Sequence, residues 1–245
     1  AIEVAARRAA AVVCVSDATA DRFEQLLRPS VPVIVAPHGI DHRRFRPLEP
    51  EAGSDEATLG RLGIGTDRPL VVFVGTLEPR KGVATLVEAF ERVASRHRDA
   101  VLVLAGQYGW GEGLGPLAKA QHRDDIVVTG YVPDDAVPAL LRRASAVAYP
   151  SLDEGFGIPA FEALACGAPL VTTLGTPMAE LAGGAALLVE PGDVDSLADA
   201  LFQLLDGDPA LEARRQAGFE RVAPLTWERS AELHVEAYRI AAGER

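Results

Sequence analysis

Cysteine is scarce in this chain. Only Cys14 and Cys166 occur among 245 residues, one in an apolar strand-like run and one at the end of a helical pattern. That usage excludes a dense disulfide framework and points to free, buried thiols in a reducing compartment. Positive charge is also short. There are 24 Lys and Arg against 35 Asp and Glu, a net charge of -11. A phosphate backbone needs a basic surface, so a global nucleic-acid role is excluded. Attraction to anionic lipid through overall charge is disfavoured for the same reason. No apolar run approaches the roughly 20 residues of a membrane span. The five histidines, His38, His42, His97, His122 and His234, keep no metal-ligand spacing with a Cys or with one another, which predicts no metal site. There is no internal repeat, low-complexity tract or secretory signal. The chain starts at Ala1, without Met and in mid-pattern, which predicts a fragment of a longer protein.

What is present is a repeating strand–loop–helix rhythm, long enough for one large or two modest domains. Its centre is Ser151 to Thr173, SLDEGFGIPAFEALACGAPLVTT. Ala146 to Tyr149 before it and Ala168 to Thr173 within it read as strands. Between them lies a glycine loop and an Ala-rich helix, so the unit is βαβ with parallel strands. Pro159 fits the first helical position and Gly167 the residue past the helix end. The loop then offers free N–H groups at the carboxyl edge of a sheet, where anionic ligands bind in open α/β folds.

Two acids, Glu154 and Glu162, flank that loop with seven residues between them. Glu162 is expected in the first helical turn, with both acids facing one crevice. Acids are poor phosphate ligands and good acceptors for sugar hydroxyls. An anion site bordered by acids therefore suits a phosphate set between polyols, as in a nucleotide sugar. The bland alternative is that Glu162 complements the helix dipole and Glu154 is a solvated loop residue.

The rest of the chain follows the same plan. Ala11 to Val15 is a strand, Ser16-Asp17 cap a helix over 18 to 27, and Pro32 to Ala36 is a strand. Residues 46 to 68 read as linker with a short helix near Glu56 to Leu62. Pro69 to Val74 is a strand that runs into Gly75-Thr76-Leu77-Glu78-Pro79-Arg80-Lys81-Gly82, with a helix from Val83 to Arg96. Gly75 lets a ligand approach the strand end. Arg80 and Lys81 suit bidentate and point-charge contact with phosphate. They can also be an ordinary solvated helix start, but cations oppose a helix N-terminus and need compensation, which a bound diphosphate supplies.

Strands are expected at Ala100 to Ala105, Asp125 to Thr129 and Ala185 to Val189, with a glycine-rich loop over Gly109 to Gly115 that carries Trp110. Pro133 and Asp134 are expected to open the helix after Gly130-Tyr131-Val132. Further helices are read at Thr176 to Glu180, Ser196 to Leu205, Leu211 to Ala217, and from Thr226-Trp227-Glu228 to Ala241.

The string Tyr149-Pro150-Ser151, Glu154-Gly155-Phe156-Gly157-Ile158-Pro159, Glu162-Ala163, Ala165-Cys166-Gly167-Ala168-Pro169 resembles the Glu-x7-Glu signature of retaining GT-B glycosyltransferases of the family 4, or group 1, type. The Gly75 to Gly82 string is similar to that family's Gly-x4-Arg/Lys-Lys-Gly element. Pro37-His38-Gly39-Ile40-Asp41 resembles the family segment before the crossing between the two domains, with His38 where Asn is usual. His38 either lines the interdomain cleft or fills a turn.

The resemblance implies an α/β fold, a Rossmann-like parallel sheet flanked by helices, as the C-terminal half of a GT-B enzyme. It implies residues 1–40 as a remnant of the acceptor-side domain, 41–68 as the connection, 69–223 as the donor-binding domain, and 224–245 as a helix crossing back, with Trp227 as a packing anchor. Most of the acceptor-side domain would lie outside the chain, as its partner. By resemblance, Arg80 and Lys81 bind the diphosphate and stabilise it as it leaves. Glu154, Phe156, Gly157 and Ile158 face the transferred sugar, and Glu162 binds the ribose. Tyr131 and Val132 meet the base through backbone groups, although Tyr131 reads equally as a packing aromatic.

The implied reaction is transfer of a hexose to an acceptor hydroxyl, a glycan, lipid-linked sugar or small molecule, with retention. The Glu-Gly-Phe-Gly-Ile-Pro form favours GDP-mannose, with UDP-glucose open. No cofactor or metal is implied, and the location is cytoplasmic or at the inner face of the membrane. Two other readings stay open: a nucleotide-binding module without transfer by itself, and another nucleotide-sugar enzyme of this architecture, such as an epimerase.

Overall fold

A computed structural model describes residues 2–47, 55–109 and 115–243. The first part holds helix α1 (Ile2–Arg8), strand β1 (Val12–Cys14), helix α2 (Asp17–Leu27) and strand β2 (Val33–Val35). β1 and β2 form a small parallel pair. Ser16 caps α2 by accepting from the Thr19 N–H at 3.1 Å, which satisfies one orphan donor of the first turn.

The larger part alternates strand and helix. In order come α3 (Asp55–Gly60), β3 (Leu70–Val74), α4 (Val83–Arg96), β4 (Val101–Ala105), α5 (Gly115–Lys119), β5 (Ile126–Gly130), α6 (Ala136–Arg143) and β6 (Ala146–Tyr149). Then follow α7 (Ile158–Ala165), β7 (Leu170–Thr173), α8 (Pro177–Ala182), β8 (Ala186–Val189), α9 (Val194–Asp206), α10 (Leu211–Val222) and α11 (Trp227–Ala242). Six strands make one parallel sheet in the order β5-β4-β3-β6-β7-β8. The chain winds outward from β3 to one edge, returns, and winds from β6 to the other. The order therefore reverses between β3 and β6, which opens a crevice at their carboxyl ends.

The sequence gives this sheet no choice of environment. Leu70, Val71, Val72 and Phe73 are buried in turn, as are all five residues of β4 and all four of β6. Apolar runs without alternation can only sit in a sheet covered on both faces. α4 supplies one cover through Val83, Leu86, Val87, Phe90 and Val93, spaced for one helical face. α6 is held to α3 by a buried ion pair: the Arg142 guanidinium donates to both Asp55 carboxylate oxygens, at 2.9 and 2.6 Å.

The two parts are joined by paired crossings. The Ile40 N–H donates to the Leu225 carbonyl at 2.9 Å. Gly39 lies against the start of α11 so closely that a Cβ there would stand 2.2 Å from the Trp227 nitrogen. α11 then packs on β1 and β2. The backbone at Trp227 is thus the anchor, while its side chain, expected to pack, is 51% exposed and does so only in part, against His38.

Several boundaries differ from expectation. α6 starts at Ala136, after Pro133 and Asp134, which lie in the turn before it. Gly115 begins α5 and is not loop, and α10 runs on to Val222. Trp110 and residues 111–114 of the expected glycine-rich loop, and residues 48–54 of the expected linker, lie outside the described residues.

Candidate functional site

The crevice at the switch point is formed by two loops, one leaving β3 and one leaving β6. Gly82 brings them together. It has φ +67°, and a Cβ on it would stand 2.0 Å from the Pro150 carbonyl oxygen. One turn earlier, the Leu152 N–H donates to the Arg80 carbonyl at 2.8 Å. The loops are therefore tied backbone to backbone before any side chain meets.

The side chains then converge. Lys81 Nζ donates to Glu154 Oε1, and Arg80 Nη1 lies 3.3 Å from Glu154 Oε2. Ser151 Oγ donates to Glu154 Oε1 at 3.1 Å. Arg80 Nη2 pairs with Glu78 Oε1 at 2.6 Å. Both carboxylates are nearly buried, at 8% and 7% side-chain exposure, so their charges must be answered locally. Two cations and two carboxylates form one neutral cluster.

This corrects the expectation that Arg80 and Lys81 need a bound diphosphate to offset a helix N-terminus. They lie in a three-residue 3₁₀ turn, Pro79–Lys81, which Gly82 separates from α4. Glu154 and Glu78 supply the compensation. Glu78 was missed in the sequence. Its signal was present: an acid two residues before the cation pair, flanked by Leu77 and Pro79 in a loop that returns on itself.

The glycine loop is held from the other side by α2. Ser16 Oγ and Thr19 Oγ1 donate to the Gly155 carbonyl at 2.8 and 3.0 Å. Between α2, the loop and α8 lies a cavity of about 450 Å³, lined among others by Thr19, Arg22, Arg80, Glu154, Gly155 and Pro177. Gly157 has φ +91° and lies against Met178 of α8, so only glycine turns the chain into α7 there. Phe156 is buried between His38, edge-on at 5.4 Å, and Phe161 at 5.0 Å. His38 thus packs between the loop and Trp227. Burial, with the nearby His234, lowers its pKa.

Glu162 occupies a different place from Glu154. α7 begins at Ile158 with Pro159 at its second position, so Glu162 is the fifth helical residue, beyond the first turn. Its charged neighbours are Arg44 and Asp134, not the Arg80–Lys81 pair. Burial raises its pKa to about 7, against the opposing pull of Arg44. The acids therefore border different parts of the crevice, and Tyr149 feels both. Burial and the charges of Glu162 and Glu154 push its hydroxyl well above the ordinary range, and it donates to the Val74 carbonyl at 3.0 Å.

The remaining expected residues fall into two groups. Tyr131 is 67% exposed, which rules out its reading as a packing aromatic, while Val132 next to it is buried. Ile158 is partly buried at the start of α7 and packs against the core. At Gly75 the close approach belongs to its neighbour: a Cβ on Gly106 would stand 1.9 Å from the Gly75 carbonyl oxygen, whereas one on Gly75, at φ +150°, would meet Phe73 at 3.5 Å. The two thiols are free and buried, and Cys166 is pushed up to about 12 by burial.

The model of the family "Glycosyl transferases group 1" matches residues 54–221, more than half of the chain. An Escherichia coli protein named O-antigen chain mannosyltransferase B is 34% identical over 172 residues, 69% of this chain and 45% of that protein. A Mycobacterium tuberculosis protein named GDP-mannose-dependent alpha-(1-6)-phosphatidylinositol monomannoside mannosyltransferase is 36% identical over 232 residues, 89% of this chain and 58% of that protein. The chain thus spans about half the length of the curated relatives it matches. Among solved structures, sucrose-phosphate synthase from Thermosynechococcus elongatus superposes with TM-score 0.81 at 25% identity, over 97% of this chain and 60% of that one. An Anabaena protein, HepE, solved in complex with UDP and glucose, superposes with TM-score 0.81 at 21% identity, over 97% of this chain and 65% of that one, and shares the fold.

Proposed function

The chain belongs to the glycosyl transferases of group 1, and from that premise we propose that it is the donor-binding part of a retaining, family 4 enzyme of GT-B architecture. It moves a hexose, mannose in our reading, from a nucleoside diphosphate to an acceptor hydroxyl. GDP-mannose is the donor we favour, because two relatives carry mannosyltransferase names and one of these is called GDP-mannose-dependent. The acceptor is a glycan, a lipid-linked sugar or a small polyol. The domain division at residues 1–40, 41–68, 69–223 and 224–245 belongs to the same reading, with the remainder of an acceptor-side domain as partner. So does a cytoplasmic or inner-membrane-face location. Among the described residues no helix is long and apolar enough to cross a membrane.

One observation carries the reading: Arg80 and Lys81 converge with Glu154 at the reversal point of the sheet. As the glycosidic bond breaks, charge builds on the diphosphate. Once the donor is seated, Arg80, Lys81 and the N–H groups of Gly157 and Ile158 meet that charge from fixed positions, which makes such groups effective. Glu154 exchanges its cations for sugar hydroxyls when the donor enters, and orients the hexose with the backbone of Phe156 to Ile158. Glu162 accepts from ribose hydroxyls. Tyr131 and Val132 lie at the base end. The leaving phosphate takes the proton of the attacking hydroxyl, so no side-chain base and no metal is needed.

Calorimetric titration with GDP, UDP and ADP, with and without magnesium, tests this. Binding of GDP above the others, indifferent to magnesium, is the expected result. Binding that requires magnesium, or no nucleotide binding by the full chain, would sink the proposal.

A further inference from the structure

We infer that Glu78 is a positioning residue: it keeps hold of Arg80 when Glu154 lets go, and so aims the guanidinium at the diphosphate. The inference rests on the donor-binding reading given above. Arg80 is a fork shared between two acids. Nη1 faces Glu154 Oε2 at 3.3 Å and the Asp153 carbonyl at 3.4 Å, whereas Nη2 pairs with Glu78 Oε1 at 2.6 Å. The two acids are not equivalent. Glu154 is shared among Arg80, Lys81 and Ser151, and it lines the cavity. Glu78 is not among that cavity's lining residues.

Glu78 also has a built seat. The Leu77 N–H donates to the Gln107 carbonyl at 2.9 Å, and the Gly109 N–H returns to the Leu77 carbonyl at 3.1 Å, extending the pairing of β3 and β4 past the sheet. Gly109 leaves room for the acid. A Cβ there would stand 3.2 Å from Glu78 Cβ and 3.4 Å from Oε2, and 2.7 Å from Thr76 Cγ2. The carboxylate is thus buried in a notch of backbone, with Arg80 as its ion-pair partner. A side chain with four rotatable bonds is held at one nitrogen while the other can change partner. That arrangement limits the entropy lost when a phosphate takes the place of Glu154.

Binding of GDP and GMP to Glu78→Gln, Arg80→Ala and the double variant in the full chain separates this role from others. Aiming at the terminal phosphate predicts that Glu78→Gln weakens GDP roughly 10-fold or more while GMP changes little. Arg80→Ala should show the same selectivity, and the double variant should be no worse than Arg80→Ala alone. Glu78→Asp should recover part of the loss. A merely structural acid would weaken both nucleotides equally. A mere counter-charge would tighten GDP when removed. Either outcome overturns the inference. If the unaltered chain binds GDP and Glu78→Gln binds it equally well, the positioning role falls and the donor-binding reading stands. If the unaltered chain binds neither GDP nor UDP, both fall.

Discussion

Lys81 Nζ donates to Glu154 Oε1 across the crevice, joining residues 73 positions apart in the chain. In the proposed function, this pair is the state from which the donor starts, and an entering diphosphate would compete with Glu154 for the same two cations.

Removing that competitor should therefore help the leaving group and harm the reaction. Glu154→Gln is expected to tighten free GDP by about 5- to 30-fold, equivalent to about 1–2 kcal/mol. Transfer by the full chain should fall steeply, because the sugar loses its orienting acceptor. Titration calorimetry and a transfer assay check the two halves. Weaker GDP binding would mean that Glu154 supports the cations and does not compete for them.

Glu162 gives a pH dependence with a definite sign. Its pKa is about 7 in the fold, above its ordinary 4.5, so the folded state binds the proton more tightly. The contribution of Glu162 to stability is then fully present below pH 4.5 and is lost as pH rises to about 7, by about 3 kcal/mol at most. Urea unfolding of Glu162→Gln should lack that slope. Nucleotide binding should run the other way, since ribose hydroxyls need the ionised acceptor. Wild-type affinity should be roughly tenfold lower at pH 6 than at pH 8. The nucleotide's own titration cancels when the slope of Glu162→Gln is subtracted. Equal slopes would remove Glu162 from the ribose.

Gly82→Ala tests the backbone contact between the loops. The substitution places a Cβ at φ +67° and against the Pro150 carbonyl. A loss of about 2–4 kcal/mol is expected, from the left-handed backbone and the overlap together. Denaturant unfolding measures it. A loss under 1 kcal/mol would show that the two loops can part freely.

Asp55→Ala leaves Arg142 without its bidentate partner in a place where the acid is 1% exposed. Breaking such a pair from one side should cost about 3–5 kcal/mol. Replacing both residues by apolar ones should recover much of it. A double variant as unstable as Asp55→Ala would locate the effect in packing and not in the stranded charge.

The sheet was legible because β3, β4 and β6 are unbroken apolar runs, followed at once by Gly75, Gly106 and Pro150. Leu70 to Val74 and Ala146 to Tyr149 can occupy only a covered parallel sheet. The resemblance of the Glu154 to Glu162 string pointed to a group 1 glycosyltransferase, the family that matches residues 54–221. What was not legible is pairing across the chain. Nothing local to Arg80 says that its compensation comes from Glu154, and the answer depends on Gly82 meeting Pro150. Glu162 lies one residue further into the helix than the sequence suggests, just past the first turn, because Pro159 fits the second helical position as well as the first. Tyr131 could not be placed from sequence, since exposure of a strand-end aromatic is set by what the neighbouring chain leaves uncovered. Glu78 has a signal in its spacing to Arg80, but its pairing is set by the fold, since an acid between Leu77 and Pro79 also fits an ordinary turn.

The backbone bond from Leu152 to Arg80, with Gly82 seated on Pro150, has a consequence for how such a chain can change over time. The loops after β3 and β6 fit each other as two edges of one seam. An insertion or deletion in either shifts a donor away from its acceptor in the other. Each loop's length is fixed by its partner, so altered specificity is open to side-chain exchange within the seam, and drift in length is confined to loops that do not meet there.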